Sequence, residues 1–124
     1  MAFTATFDLA INGVTKTLNR IRFDGYSSEY LKRTSTEEYR IFVRNSDVKS
    51  KKPDPLLRGV ERHNVEVVHR IFATSTTPEL VRRAYTVFEH YAGDDQTAVS
   101  NFVVGSFADI GNAGIVADLL GWQA

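Results

Sequence analysis

Residues 62–100 read RHNVEVVHRIFATSTTPELVRRAYTVFEHYAGDDQTAVS, and the fold class turns on where the hydrophobic period changes within them. Up to Ala73 the period is two. Val65, Val67, His69 and Ile71 fall on one face; Arg62, Asn64, Glu66, Val68 and Arg70 fall on the other. That alternation predicts a long strand over 60–73 with one face on a core and one face open. Beyond it the period becomes three to four. Thr77 suits an N-cap and Pro78 the first helical position. Leu80, Ala84, Val87, Phe88 and Tyr91 then line one side of an expected helix that Gly93 ends. Asp94 or Asp95 caps a second helix whose apolar side carries Ala98, Val99, Phe102, Val103, Phe107 and Ile110.

Upstream the chain reads as strands. Phe3, Ala5, Phe7, Leu9 and Ile11 alternate with polar or small residues, and Asn12-Gly13 is a strong hairpin signal. Val14 to Phe23 is the return strand. Its apolar parity changes between Leu18 and Ile21, as a bulge requires. Asp24-Gly25 is a second turn. Residues 27–33 form a weaker strand, Thr34-Ser35-Thr36 a polar break, and 38–45 a clearer strand in which Tyr39, Ile41 and Val43 alternate with Arg40, Phe42 and Arg44. SDVKSKKPDP at 46–55 is a loop. Strands followed by helices give an α+β domain: an N-terminal hairpin (1–24), an antiparallel sheet (25–74), two helices on one of its faces (77–110) and an apolar tail (111–124). The tail holds Ile115, Val116, Leu119, Leu120 and Trp122, so it is expected to dock on its own subunit or a neighbour.

At 124 residues a single domain is the expectation. The absence of cysteine excludes disulfides and thiolate metal sites. MAFTATFDLAING does not read as a signal peptide, and no stretch approaches the ~20 apolar residues of a membrane span. The net charge of zero hides an asymmetry. Residues 1–83 hold all 15 Lys and Arg against ten acids, whereas 84–124 hold five acids and no Lys or Arg. Such segregation suits a polyanion on one side of a neutral protein.

Catalytic patterns are sparse. His63 and His69 share a strand face but lie about 20 Å apart at ~3.3 Å per residue. Neither a zinc-protease helix motif nor a phosphate-binding glycine loop is present. Glu37-Glu38 flanks a turn and Asp94-Asp95 suits helix capping. The polar sheet face is the better site. Arg40, Phe42 and Arg44 on one strand, with Arg62, Asn64, Glu66 and Arg70 on the next, interleave cations, an aromatic ring and an amide, as single-stranded RNA recognition requires. Cross-strand ion pairs, such as Glu66 with an arginine, are the plainer reading of the same residues.

Residues 62–100 also resemble coat proteins of single-stranded RNA bacteriophages, the levivirus-like family. NVEV at 64–67, IFAT at 71–74 and ELVRRA at 79–84 carry the resemblance, matching the passage from the last strand into the first helix of that family. It implies a homodimer with one continuous sheet, helices interlocking across the dimer, and an icosahedral shell built by self-assembly. It further implies genomic single-stranded RNA on the inner sheet face, a possible RNA hairpin through which replicase translation is repressed, and a virion subunit assembled in the bacterial cytoplasm. It implies no enzyme activity, cofactor, metal, membrane or small-molecule substrate. By position Asn64 and Glu66 match family residues on the RNA side, Arg62 stands where a base-stacking aromatic is often found, and Arg40, Phe42 and Arg44 lie on the adjoining strand. Phe72, Leu80, Ala84, Phe88, Tyr91 and Phe102 are the expected core and dimer contacts. The resemblance leaves open whether 27–33 is the third or fourth strand. Two other readings compete: a cellular RNA-binding regulator that stops at the dimer, and a small α+β enzyme using Tyr39 and His69.

Overall fold

A computed structural model describes residues 3–123 of the chain. Six strands come first: β1 (Thr6–Ile11), β2 (Val14–Phe23), β3 (Ser27–Arg33), β4 (Glu37–Lys49), β5 (Gly59–Ile71) and β6 (Leu80–Tyr91). Helices α1 (Gln96–Ile110) and α2 (Ala113–Leu120) follow. The strands form one sheet in sequence order, so every neighbour in space is a neighbour in the chain. Residues 27–33 are therefore the third strand.

Local chemistry sets this meander. Asn12 and Gly13 take φ of 52° and 75°, the pair of positive values that lets Ile11 face Val14 across a two-residue turn. Register slips between Arg20 and Arg22, so Arg20 faces Tyr30 and Arg22 faces Glu29. This is the bulge expected from the parity change near Ile21, and it sends the two arginines to opposite faces. Asp24 then accepts from the backbone N–H groups of Tyr26 and Ser27 and from the Ser27 hydroxyl, closing the β2–β3 turn. Those bonds hold the exposed Asp24 carboxyl below its ordinary range.

Two compact units emerge. The first runs to Asp47 and resumes over Arg62–Val87. Its core is one sheet face: Leu18, Tyr30 and Ile41 are fully buried, Tyr39 and Val43 nearly so, and Phe7, Leu9, Val65 and Val67 flank them. The Tyr30 hydroxyl donates to the Thr4 carbonyl at 2.7 Å, so its burial leaves no orphan donor. The second unit holds Val48–Glu61 and the chain from Phe88 onward. In it the basic loop is shaped by Arg58, whose guanidinium donates to the carbonyls of Lys52 and Pro53 at 2.8 and 2.9 Å. Asp95 caps α1 by accepting from Thr97 N–H, and Asn112 caps α2 through Ile115 N–H. Phe107 of α1 meets Phe88 edge-on at 6.3 Å.

Two expectations fail. Residues 80–91 are not a helix but the last strand of the sheet. Val81, Tyr85, Thr86, Val87, Phe88 and Tyr91 are β-branched or aromatic and favour an extended chain once a partner strand is available. Thr77 is not an N-cap. It closes a hairpin turn in which Thr74 Oγ1 accepts from the N–H groups of Thr76 and Thr77. Thr34 Oγ1 does the same for Thr36 and Glu37, so one device turns both β3–β4 and β5–β6. The helix expected after Asp94 or Asp95 is found as α1, and a further helix, α2, is made from the expected tail. Phe72, Leu80, Ala84, Phe88, Tyr91 and Phe102, expected as core or dimer contacts, lie outside the single chain's buried core. Phe72, Phe88 and Tyr91 are half-buried, and Leu80, Ala84 and Phe102 are exposed.

The face opposite the core is laced by charge. Arg40 bridges Glu29 and Glu38, Arg33 joins Glu38, and Arg70 lies 3.7 Å from Glu38 and 3.3 Å from Glu79. Burial pushes the Glu38 carboxyl pKa up. Its hydrogen bonds from Arg33 and Arg40 outweigh that and hold it below the ordinary 4.5. A depressed folded-state value stabilises the fold above the unfolded pKa, and that contribution disappears as pH falls through the lower folded value. Urea midpoints should therefore drop as the solution is acidified below about 4.5, and Glu38→Gln should flatten that acid limb. A mutant with the parent's slope would remove Glu38 from the acid response. Ile41→Ala should lower unfolding free energy by about 2–5 kcal/mol, read from urea titration.

Candidate nucleic-acid interface

The open sheet face is built by strand alternation alone. On β4 the core takes Tyr39, Ile41 and Val43, which leaves Glu38, Arg40, Phe42 and Arg44 outward. On β5, Val65 and Val67 go inward and Asn64, Glu66 and Arg70 outward. Among the described residues this face interleaves Arg22, Arg33, Arg40, Arg44, Arg62, Arg70 and Arg83 with Glu29, Glu38, Glu66 and Glu79.

Four of the six sequence candidates converge. Arg44, Arg62, Asn64 and Glu66 line one cleft of about 460 Å³, together with Ser46, Tyr85 and Val87. Arg44 Nη1 donates to Asn64 Oδ1 and to Glu66 Oε1, each at 2.9 Å. The Arg44 guanidinium also lies 4.7 Å from the centre of the Phe42 ring. Asn64 Nδ2 donates to the Thr86 carbonyl at 3.1 Å. Both ends of that amide are therefore engaged, and its role here is to hold Arg44 rather than to reach for a base. Arg83 Nε stands 3.9 Å from Glu66 Oε2, outside hydrogen-bond range.

The other two candidates sit apart from this cleft. Arg40 is only one-quarter exposed, and its charge is taken up by Glu29 and Glu38. The Glu29 hydrogen bond, ahead of burial, pushes its already high pKa further up. It works first as a structural cation. Phe42 lines a neighbouring hollow with Arg22, Ser28 and Glu29, and Arg44 covers part of its ring. It is not an uncovered stacking platform.

Tyr85 is the residue that sequence reasoning missed. It lies on β6, is 67% exposed and borders the cleft opposite Arg44 and Asn64. Reading 80–91 as a helix placed it nowhere near β5. The repeated Thr-Ser-Thr turn at 34–36 and 74–76 was the available clue, because it announces a second hairpin and hence a sixth strand.

Tyr39 and His69, the pair considered for an enzyme, do meet. Their rings stack at 4.3 Å, and His69 Nε2 lies 2.9 Å from Glu37 Oε2. Burial first, then the Glu37 charge, raises the Tyr39 pKa, so the phenol stays protonated near neutrality. The stacked pair is part of the core face and lines none of the clefts described above.

No curated protein matches the chain in sequence. Among solved structures, the virus-like particle of bacteriophage ESE058 is similar, with a TM-score of 0.70, 15% identity and 98% of each chain covered. An unassembled coat protein dimer, titled a bacteriophage RNA-binding dimer, has a TM-score of 0.47 and 17% identity, covering 96% of this chain and 94% of that one. At such identities the first shows a shared fold. The family model for the phage phiCb5 coat protein matches residues 4–91, a span that takes in all six strands and stops before α1. That match spans well over half of the chain, and with it the sequence resemblance and the folded sheet converge: this chain belongs to the phage phiCb5 coat protein family, a structural family and not one of enzymes.

Proposed function

We propose that the chain is a shell subunit that dimerises, closes an icosahedral capsid and holds single-stranded RNA on its arginine-bearing sheet face. The apolar surface that one copy leaves uncovered carries this reading. No side chain of α1 or α2 is buried, and Phe102, Leu120 and Trp122 are 71%, 79% and 95% exposed. Water-exposed apolar helices of this kind call for a partner, and a second copy supplies the same need in return. The open edge of β6 offers unpaired backbone groups to the matching edge of that copy. Phe88, Tyr91 and Phe102, expected as core or dimer contacts, then serve as dimer contacts.

The RNA face follows from charge. The arginines and the Tyr85 ring on an open sheet suit a flexible single strand, with phosphates on the cations and bases against the ring. The glutamates fix the arginines in place, so few rotamers are lost on binding. Assembly in the host cytoplasm around the genome, and repression through a hairpin, are the finer parts of the same proposal.

Expression of the chain alone tests it. Uniform particles of tens of nanometres in electron micrographs, with an absorbance ratio showing RNA, are expected. A soluble dimer without particles would favour a regulatory RNA-binding protein instead. Arg62→Ala should reduce RNA affinity and lower the slope of log affinity against log salt by about 0.7, the value for one phosphate contact on a single strand. An unchanged slope would take Arg62 off the backbone path.

A further inference from the structure

A carboxylate in the middle of a polyanion-binding face needs a reason. Glu66 sits between Arg44 and Arg83, with its side chain one-fifth exposed, and it borders the cleft that Tyr85 and Arg62 also line. Holding Arg44 is one function, but it uses only one lone pair of Oε1. Oε2 has no partner within hydrogen-bond range in Arg83, so the carboxylate keeps acceptor capacity on both oxygens. Repulsion from RNA phosphates makes that capacity costly unless an N–H group of the ligand meets it.

We propose that the cleft takes one unpaired guanine, stacked on Tyr85, with its Watson–Crick edge on Glu66. This rests on the RNA-binding reading above and adds the base class. The chemistry is selective because an ionised carboxylate only accepts. Guanine alone presents two adjacent donors, its ring N1–H and its exocyclic amino group. Adenine and cytosine set a ring acceptor beside their amino group, and uracil flanks its single N–H with carbonyls. Each of those three would bring a lone pair against Glu66. The neighbouring arginines reinforce the choice, since guanidinium groups pair well with guanine O6 and N7. Asn64 belongs to the same device as a positioning residue. It ties Arg44 to β6 through the Thr86 carbonyl and so keeps the Arg44–Glu66 pair in place.

The test is fluorescence anisotropy of the full-length chain with labelled hexauridine and with hexamers carrying one central G, A or C. Wild type should bind the G-containing hexamer about ten-fold more tightly than the others, the scale of one bidentate base contact. Glu66→Gln should bring that preference close to one while tightening hexauridine binding, because a negative charge leaves the face. Those opposite movements would not come from misfolding. Tyr85→Ala should weaken all hexamers together. Equal wild-type affinity for all four hexamers would overturn the guanine assignment and leave RNA binding standing. No binding of any hexamer at low salt would overturn both.

Discussion

A single copy of this chain buries six apolar side chains among its described residues: Leu18, Tyr30, Tyr39, Ile41, Val43 and Val68. That is a thin core for 124 residues, and small domains are marginal even with full cores. The apolar residues are present but displayed: Leu119, Leu120 and Trp122 near the C-terminus, Phe102, Val104 and Ile110 on α1. The β6 edge is open as well. In the proposed dimer the chain reaches stability by association, and an obligate interface above ~2,000 Å² is of the right order to supply it.

The two faces of the sheet differ in chemistry. One face is apolar and carries the fold. The other is a lattice of arginines and glutamates in which Glu38, almost fully buried, receives three arginines. Such a lattice fixes cationic groups at strand spacing without leaving a large net charge that would drive subunits apart. Under the proposed RNA-binding role it also lets a neutral chain face a polyanion. Along the chain, residues 1–83 hold all 15 Lys and Arg, and 84–124 hold none.

Much of this was legible in the sequence. Asn12-Gly13, the parity change near Ile21 and the Asp95 cap each have a local cause that acts within a few residues, and each appears in the structure. The outward set Arg44, Arg62, Asn64 and Glu66 was legible for the same reason, since alternation decides a face. What was not legible is tertiary. Leu80–Tyr91 fits a helical spacing on paper, and only pairing with β5 makes it a strand. With β6 misread, Tyr85 was lost from the cleft, and the local match of ELVRRA to a helix start led the wrong way. The engagement of Arg40 by Glu29 and Glu38 was likewise invisible. The Glu29 contact needs residues eleven apart in sequence to meet across the β3–β4 pairing, whereas Glu38 sits two residues from Arg40 on the same strand face.

The dependence of folding on a second copy is the central claim, and it is most directly tested by sedimentation velocity across a wide concentration range, joined to urea unfolding at the same concentrations. The account predicts that the smallest folded species is twice the 13.9 kDa chain, and that the unfolding midpoint rises with protein concentration. A folded 13.9 kDa monomer with a concentration-independent midpoint would contradict it.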